Sequence, residues 1–251
     1  MDYLILGGAG FIGRHLAHRL LADDNNTVLV IDNLHTSSHN NVEFDQYGKR
    51  YVFIHADITT ASDDALIHLC CKADVIFHLA GSVGVELIDH DPSGTLFNNI
   101  NLNHKLCRVL QAAKRHVVFS STSEIYGEGP FAEDGNASIG SSDKLRWGYA
   151  ASKLMMEFML RASNIPINIV RFFNVVGPGQ VGDYGMVLPR FIQAAKANQD
   201  LTIYGTGEQV RSFCHIDDAI DALIRIVDFP GELFNIGNVE PVTIKQLDLI
   251  S

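Results

Sequence analysis

Short apolar runs alternate along the chain with longer stretches of helical periodicity. The apolar runs are rich in β-branched residues and predict strands, while the stretches between them place apolar residues three and four positions apart, as amphipathic helices do. The predicted strands are 28–31, 51–55, 75–78, 116–120 and 167–171, and the predicted helices are 11–21, 63–71, 98–114 and 149–163. This alternation predicts an α/β fold in which helices cover both faces of a doubly wound parallel sheet.

The regular alternation of predicted strands and helices ends after residue 171. Gly177-Pro178-Gly179 predicts a loop, 186–197 a helix, 201–204 a short strand, and 233–236 one more core strand. We therefore expect a main domain over residues 1–175, with 212–236 returning to it. A small second lobe would consist of 176–211 and 237–251, so that the two units are interleaved.

A glycine-rich turn lies between the apolar run 3–6 and the predicted helix 11–21. Gly7, Gly10 and Gly13 allow a tight turn, close approach of the backbone to a pyrophosphate, and close helix–strand packing. The free amide groups at the start of the helix, at Phe11 and Ile12, can hold the anion. The order of strand, glycine turn and helix therefore predicts a dinucleotide site.

The end of the next strand selects the dinucleotide. Asp32 follows the apolar run 28–31, and its carboxylate can accept hydrogen bonds from both ribose hydroxyls but would repel a 2′-phosphate. The next residue, Asn33, belongs to the same predicted site, and no arginine follows to compensate the charge. The pattern favours NAD over NADP, the alternative being that Asp32 only caps a turn.

Composition excludes several classes of partner. The chain has 251 residues, 47% of them apolar, and a formal net charge of −10, so we expect no binding of nucleic acid and no binding to a membrane. The first apolar run leads directly into the glycine turn and does not resemble a signal peptide, which favours a cytoplasmic location. The four cysteines lack disulfide or zinc spacing and are expected to be buried, and the eleven histidines are scattered, so we expect no metal site.

A tyrosine and a lysine provide the candidate chemistry. Tyr149 and Lys153 lie four residues apart, on one face of the predicted helix. A lysine ammonium beside a phenol is expected to lower the pKa of the phenol, so that Tyr149 could remove a proton from a sugar hydroxyl while hydride leaves for NAD. The alternative is a lysine whose stem packs beside a half-buried tyrosine. The hydroxyl-rich segment 120–127 follows a strand, so it is expected at the carboxyl edge of the sheet, where such folds bind ligands.

These motifs together resemble the extended short-chain dehydrogenase/reductase family, which comprises NAD-dependent nucleotide-sugar epimerases, dehydratases and decarboxylases with a Rossmann fold. The resemblance covers nearly the whole chain and is carried by residues 7–13, Asp32, 57–58, 78–81, 120–127, 149–153, 171–180 and 204–218.

The resemblance implies a role for each matching residue. Besides the glycine turn, Asp32 and Asn33, it implies cofactor contacts from Asp57 and Ile58 at the adenine, from Leu79, Ala80 and Gly81 along the pyrophosphate and ribose, and from Ser120, Tyr149 and Lys153. Thr122 would hydrogen-bond the sugar O4 and form the catalytic set with Tyr149 and Lys153. Substrate contacts are implied for Asn174 and Arg211 at the diphosphate of a UDP-sugar, and for Leu188, Ile203 and Tyr204 around the uracil.

Ser123 and Glu124 separate the possible reactions within the resembled family. Dehydratases have an acid where Ser123 stands, simple hexose 4-epimerases have small residues at both positions, and a Ser-Glu pair resembles UDP-glucuronate decarboxylases. Those decarboxylases carry an arginine near the position of Met186, which cannot bind a carboxylate. The segment 185–191 instead resembles a branch of UDP-sugar 4-epimerases that also has the Ser-Glu pair, so we expect a UDP-hexose 4-epimerase acting through a 4-keto sugar. Decarboxylation, dehydration and a non-catalytic NAD-binding protein are the alternatives.

The resemblance also implies a homodimer formed through a four-helix bundle of the helices 98–114 and 149–163. Met155, Met156, Phe158 and Met159 give the second helix apolar surface on more than one side, as a bundle requires, the alternative being that all four face the sheet. The sequence ends inside a predicted helix after Ile244, where the resembled family continues, so we expect a substrate lobe that is short at its carboxyl end.

Overall fold

A computed structural model of the chain describes residues 1–35, 37, 41–82, 91–129, 131–180 and 186–248. The strands are β1 (Asp2–Leu6), β2 (Thr27–Asp32), β3 (Tyr51–His55), β4 (Val75–His78), β5 (His116–Thr122), β6 (Ile167–Phe172), β7 (Asn174–Val176), β8 (Val210–His215), β9 (Leu233–Ile236) and β10 (Pro241–Thr243). The α-helices are α1 (Phe11–Leu21), α2 (Asp63–Lys72), α3 (Pro92–Ala113), α4 (Trp147–Ala162), α5 (Val187–Lys196), α6 (Ile216–Arg225) and α7 (Ile244–Asp248). Residues 249–251, which the sequence assigns to the second lobe, lie outside the described residues.

The main sheet confirms the predicted doubly wound α/β fold. It has seven strands in the order β3-β2-β1-β4-β5-β6-β9, and each neighbouring pair is parallel. The strand order reverses between β1 and β4, and in such sheets ligands bind at the carboxyl ends of the strands beside this reversal. The turns that follow β1, β4 and β5 therefore meet at one edge.

Two apolar layers hold the helices on opposite faces of the main sheet. One layer packs α1 and α6 against side chains such as Ile5 and Val118, and the other packs α2, α3 and α4 against side chains such as Leu4 and Phe119. Successive strand residues thus alternate between the two layers, as they must when both faces are covered. Within the described residues, no helix is both long and apolar enough to cross a membrane.

The second sheet differs from the prediction. It consists of β7, β8 and β10, with β7 and β8 parallel and β8 and β10 antiparallel. The predicted strand 201–204 is wrong, because this segment does not pair although its side chains alternate in burial. Gly205 and Gly207 adopt positive φ angles and fold the chain back, so that Ile203 packs against Gly207 instead of facing a partner strand.

Two further expectations need correction. Helix α3 begins at Pro92 rather than at residue 98, because the Asp91 carboxylate caps the helix by accepting a hydrogen bond from the Gly94 amide (2.9 Å). Cys71 is exposed, whereas Cys70 and Cys214 are buried as expected. The first turn of α3 contains no large apolar residue, and Cys71 lies on the outer face of α2. Neither feature changes the apolar periodicity on which the predictions were based.

Candidate functional site

The glycine turn after β1 forms a cradle that side chains would fill. Gly7 has a φ of 81°, and a Cβ there would come within 2.6 Å of the Ala80 backbone in the turn after β4. A Cβ on Gly13 would come within 2.6 Å of the Gly8 Cα, whereas one on Gly10 would meet nothing closer than 3.6 Å. Two of the glycines thus let the turns approach each other, and the space beside Gly10 is open.

The start of helix α1 suits an anion. Gly10 is the residue before the first turn and provides no side-chain cap, and the first turn contains no acidic residue. The amide groups around Phe11 and Ile12 are therefore free of a competing carboxylate, and the helix dipole favours negative charge there. The cradle and the helix start together fit the pyrophosphate of a dinucleotide.

The carboxylates expected at the nucleoside end come together beside β2 and β3. The Asp32 carboxylate accepts hydrogen bonds from the amides of Ala9 (2.9 Å) and Leu34 (2.8 Å), which ties the glycine turn to the end of β2. Asn33 donates its side-chain amide to the Asp57 carboxylate (3.2 Å), next to the buried Ile58. Burial raises the pKa of Asp57, but hydrogen bonds from Thr59 outweigh this, so its pKa lies below the ordinary value.

The end of β5 carries the predicted hydroxyl cluster. Thr122 is buried, and its hydroxyl oxygen accepts a hydrogen bond from the Glu124 amide (3.2 Å), which starts the 3-10 helix Ser123–Tyr126. Ser123 is half-buried on this helix. Because β5 lies next to β4, this turn stands at the same sheet edge as the turn containing Gly81.

Lys153 bridges the two turns. Its Nζ donates a hydrogen bond to the Ser120 carbonyl oxygen (2.8 Å) and would lie 3.4 Å from a Cβ placed on Gly81. Burial lowers the pKa of Lys153 to about 8, since a charged ammonium is less stable away from water. The Lys153 ammonium therefore stands between the hydroxyl cluster and the loop predicted to carry the cofactor.

Tyr149 departs from one expectation. Burial raises the pKa of its phenol above the ordinary value, and the nearby negative charge of Glu124 raises it further. The expected lowering of this pKa by Lys153 is therefore not met in this structure, where the Lys153 ammonium donates to the Ser120 carbonyl. Formation of a phenolate at Tyr149 needs additional positive charge.

Two arginines act electrostatically on the Glu124 carboxyl group. Glu124 is exposed as a residue, but the surrounding protein partly removes water from its carboxyl group and raises its pKa, while the positive charges of Arg146 and Arg211 act against this rise. Arg211 was predicted to bind substrate and lies on β8 of the second sheet, so a charge from the second sheet acts on the turn after β5. Arg146 was not predicted as a site residue, although its position directly before α4 and three residues before Tyr149 was the available signal.

The remaining predicted substrate residues lie on the second sheet, on α5 and in the segment 201–204. Asn174 on β7 donates its side-chain amide to the Ser212 carbonyl oxygen (2.9 Å), beside Arg211 on β8. Leu188 on α5 and Ile203 are half-buried, and Tyr204 is exposed. Arg190, also on α5, donates to the Tyr204 hydroxyl (3.1 Å), which joins the segment 201–204 to α5.

A histidine without a predicted role lies beneath the site. His78 ends β4, its side chain is fully buried, and neither ring nitrogen has a hydrogen-bond partner within the described residues. Burial and the positive charge of Lys153 hold the pKa of His78 well below its ordinary value, so the ring is neutral. Its only signal in the sequence is a polar residue at the end of an apolar strand.

The fold and the site together define a protein that binds a dinucleotide beside a Tyr–Lys pair. The model of the NAD dependent epimerase/dehydratase family matches residues 3–237, and the chain belongs to this family. A UDP-N-acetyl-alpha-D-glucosaminuronate decarboxylase of Bacillus cytotoxicus is 34% identical over 252 residues, which are 97% of this chain and 77% of the relative. An uncharacterised UDP-glucose epimerase of Bacillus subtilis is 33% identical, over 98% of this chain and 80% of the relative.

Solved structures agree with this assignment. A UDP-glucuronic acid 4-epimerase from Bacillus cereus, in complex with UDP-glucuronic acid and NAD, is 32% identical with a TM-score of 0.86. The match covers 100% of this chain and 81% of that structure. The chain is thus an enzyme of a NAD-dependent family that acts on UDP-sugars, and NAD is its cofactor.

Proposed function

We propose that this protein epimerises a UDP-hexose at C4 through a transient 4-keto sugar, without net consumption of NAD. The observation that carries the proposal is the position of Lys153. Its ammonium joins the carbonyl of Ser120, two residues before Thr122, to the turn containing Gly81 (Nζ to Ser120 oxygen 2.8 Å). A sugar held at Thr122 would thus be adjacent to a nicotinamide held at this turn.

Each of the three proposed catalytic residues has a separate role in the reaction. Thr122 hydrogen-bonds the sugar O4, Tyr149 takes the proton of the O4 hydroxyl, and Lys153 holds the nicotinamide ribose. Bound NAD supplies the hydride acceptor together with a positive charge that favours the phenolate, which the raised pKa of Tyr149 requires. Once the keto sugar has rotated within the site, C4 would regain the hydride from the reduced cofactor on its opposite face, and Tyr149 would return the proton to O4.

The second sheet and the segments beside it would supply the substrate contacts. Arg211 on β8 and Asn174 on β7 would bind the diphosphate, and a planar guanidinium can hold two phosphate oxygens against the formal net charge of −10. Leu188, Ile203 and Tyr204 would enclose the uracil, and the contact between Arg190 and Tyr204 would keep this pocket together.

Decarboxylation of a UDP-uronic acid is the second candidate function. It is favoured by Glu124, which lies near Tyr149 and is acted on electrostatically by Arg146 and Arg211, and by relatives named as uronate decarboxylases. Oxidation at C4 would convert such a sugar into a β-keto acid, which loses carbon dioxide readily. Met186, at the start of α5, offers no cation for the carboxylate, and this favours epimerisation.

Product analysis separates the two candidates. The purified protein should be incubated with UDP-glucose, UDP-N-acetylglucosamine and UDP-glucuronic acid without added reductant, and the products identified by mass spectrometry and NMR. A C4 epimer of unchanged mass supports the proposal. Release of carbon dioxide with a UDP-pentose supports decarboxylation, a 4-keto-deoxy sugar indicates dehydration, and absence of any turnover indicates a non-catalytic NAD-binding protein.

The variant Tyr149→Phe tests the mechanism. Removing the phenolic oxygen should lower kcat by about 10²- to 10⁴-fold, the usual contribution of a general base, with NAD affinity retained. Tyr3→Phe is the matched control, because Tyr3 lies at the opposite end of β1 from the glycine turn and should leave turnover unchanged. Unchanged turnover in Tyr149→Phe would remove Tyr149 from the mechanism.

We also propose that the protein is a homodimer that buries one face of α3 and α4. Phe97 and Ile100 on α3 and Met155 and Phe158 on α4 are exposed, between 46% and 64%. The four apolar residues of α4 lie on more than one side of the helix, as the sequence predicts. Met156 is fully buried, and Met159 packs against the same apolar layer.

A further inference from the structure

A row of polar side chains crosses the carboxyl edge of the main sheet beneath the candidate site. Ser121 on β5 pairs in register with Arg171 on β6, and Arg171 pairs in register with Asn235 on β9. Two residues earlier, the same faces of β5 and β6 carry Phe119 and Ile169, which belong to the apolar layer under α4. We call Ser121, Arg171 and Asn235 the edge row.

Glu157 clamps helix α4 onto the edge row. Its Oε1 accepts hydrogen bonds from the Ser121 hydroxyl (2.5 Å) and from Arg171 Nε (3.0 Å), and its Oε2 accepts one from Arg171 Nη2 (2.7 Å). Ser121, Glu157 and Arg171 are all at most 5% exposed. Glu157 lies one helical turn after Lys153 and two turns after Tyr149, so this clamp fixes the helix face that carries both.

Tyr126 joins the other half of the site to the same row. The Arg171 guanidinium lies 4.7 Å from the centre of the Tyr126 ring, and the Tyr126 hydroxyl donates to Asn235 Oδ1 (2.8 Å). Tyr126 ends the 3-10 helix that starts directly after Thr122. The row therefore holds the hydroxyl turn on one side and the Tyr–Lys helix on the other.

Stability alone gives little reason for this arrangement. A buried ion pair loses the hydration of both charges, and apolar side chains of similar volume in its place are often neutral or stabilising. Orientation gives a stronger reason, since a displacement of about 1 Å between reacting groups can cost about 10²-fold in rate. We propose that Glu157, through Ser121 and Arg171, is a positioning residue that sets Tyr149 and Lys153 relative to Thr122. This inference rests on the proposed function.

Two sets of variants test the inference. Ser121→Ala removes one hydrogen bond and keeps the ion pair, and the double variant Glu157→Leu/Arg171→Met replaces both charges with apolar groups. We expect kcat to fall about tenfold in the first and about 10²-fold in the second, with KM for the UDP-sugar and NAD affinity retained. The primary deuterium isotope effect of a C4-deuterated sugar should rise in both, because hydride transfer becomes slower than the other steps.

A merely structural pair predicts a different result. If the double variant turns over at the wild-type rate with an unchanged isotope effect, whatever its melting temperature, the inference is overturned. Where the double variant does not fold, Ser121→Ala decides in the same way. Arg19→Met is the control, because it removes an exposed ion pair with Asp221 between α1 and α6, away from the row.

Hydrogen exchange provides a readout that does not need turnover. In the NAD-bound protein, amides of residues 147–153 should exchange faster in Ser121→Ala than in the wild type, whereas amides of α1 should not change. If the wild type converts no UDP-sugar, the proposed function fails. The positioning of residues 147–153 by Glu157 is then tested by hydrogen exchange alone. Equal exchange over residues 147–153 in both proteins would overturn the inference.

Discussion

Burial controls the chemistry of the individual side chains at this site. The pKa of Lys153 is lowered to about 8, His78 is held neutral, and the pKa of Tyr149 is raised. In each case the charged form is disfavoured because it has lost water. The pairing of Tyr149 with Lys153 was predictable from their spacing, but the direction of the Tyr149 shift was not. It depends on how deeply α4 packs and on Glu124, which approaches from another element.

The lowered pKa of Lys153 predicts a loss of activity in mild alkali. In the folded protein the ammonium is present below about pH 8 and is lost as the pH rises through that value, so kcat/KM should fall there. The unfolded chain keeps this proton up to about pH 10.4, so between these values Lys153 makes the free energy of unfolding rise with pH. Unfolding linked to Lys153 therefore does not explain the loss. The variant Lys153→Arg stays charged, so its kcat/KM should not fall near pH 8. The same fall in this variant would show that Lys153 does not cause it.

At the scale of elements, the sequence predicts helices and strands that have a local apolar periodicity. It misses strands that form only by pairing with residues far away in the chain. The bounds of α1, β3, β4 and β9 agree with the predictions, because each is a periodic or apolar run with clear ends. The segment 201–204 has the alternation of a strand but lacks a partner, and β8 has a partner but begins with exposed residues. Pairing between β7, β8 and β10 joins residues far apart in the chain, which local pattern cannot reveal.

The glycine turn gives a prediction that separates fold from function. Gly13→Ala places a Cβ 2.6 Å from the Gly8 Cα, so α1 must move away from the turn, and we expect a loss of about 1–3 kcal/mol in the free energy of unfolding. Gly10→Ala meets nothing within 3.6 Å and should keep wild-type stability. Because this open space is where the pyrophosphate is expected, Gly10→Ala should still weaken NAD binding. Denaturant titration and calorimetry measure the two effects, and wild-type NAD affinity in Gly10→Ala would place the pyrophosphate elsewhere.

At the scale of the whole molecule, the candidate site depends on elements from both sheets. The order of strands along the chain predicted that the turns after β1, β4 and β5 share one edge, and this much of the site was predictable. Family resemblance implied only that Arg211 binds the substrate diphosphate, and its electrostatic effect on Glu124 was not predicted, since it depends on how β8 packs near the main sheet. The same limit applies to the edge row, where Ser121 and Asn235 are joined only through the register of three strands.

The exposed face of α3 and α4 predicts the oligomeric state. Phe158 is 64% exposed, and a dimer with twofold symmetry would bury two copies of it. Burial of each ring contributes about 2 kcal/mol, so Phe158→Glu should raise the dissociation constant by at least about 10²-fold. Phe229→Glu is the matched control, because Phe229 is 58% exposed but lies after α6, away from α3 and α4. Sedimentation equilibrium at micromolar concentration should show dimers for the wild type and Phe229→Glu and monomers for Phe158→Glu, with NAD binding retained in all three. A monomeric wild type would refute the dimer, and dissociation by Phe229→Glu would move the interface to another face.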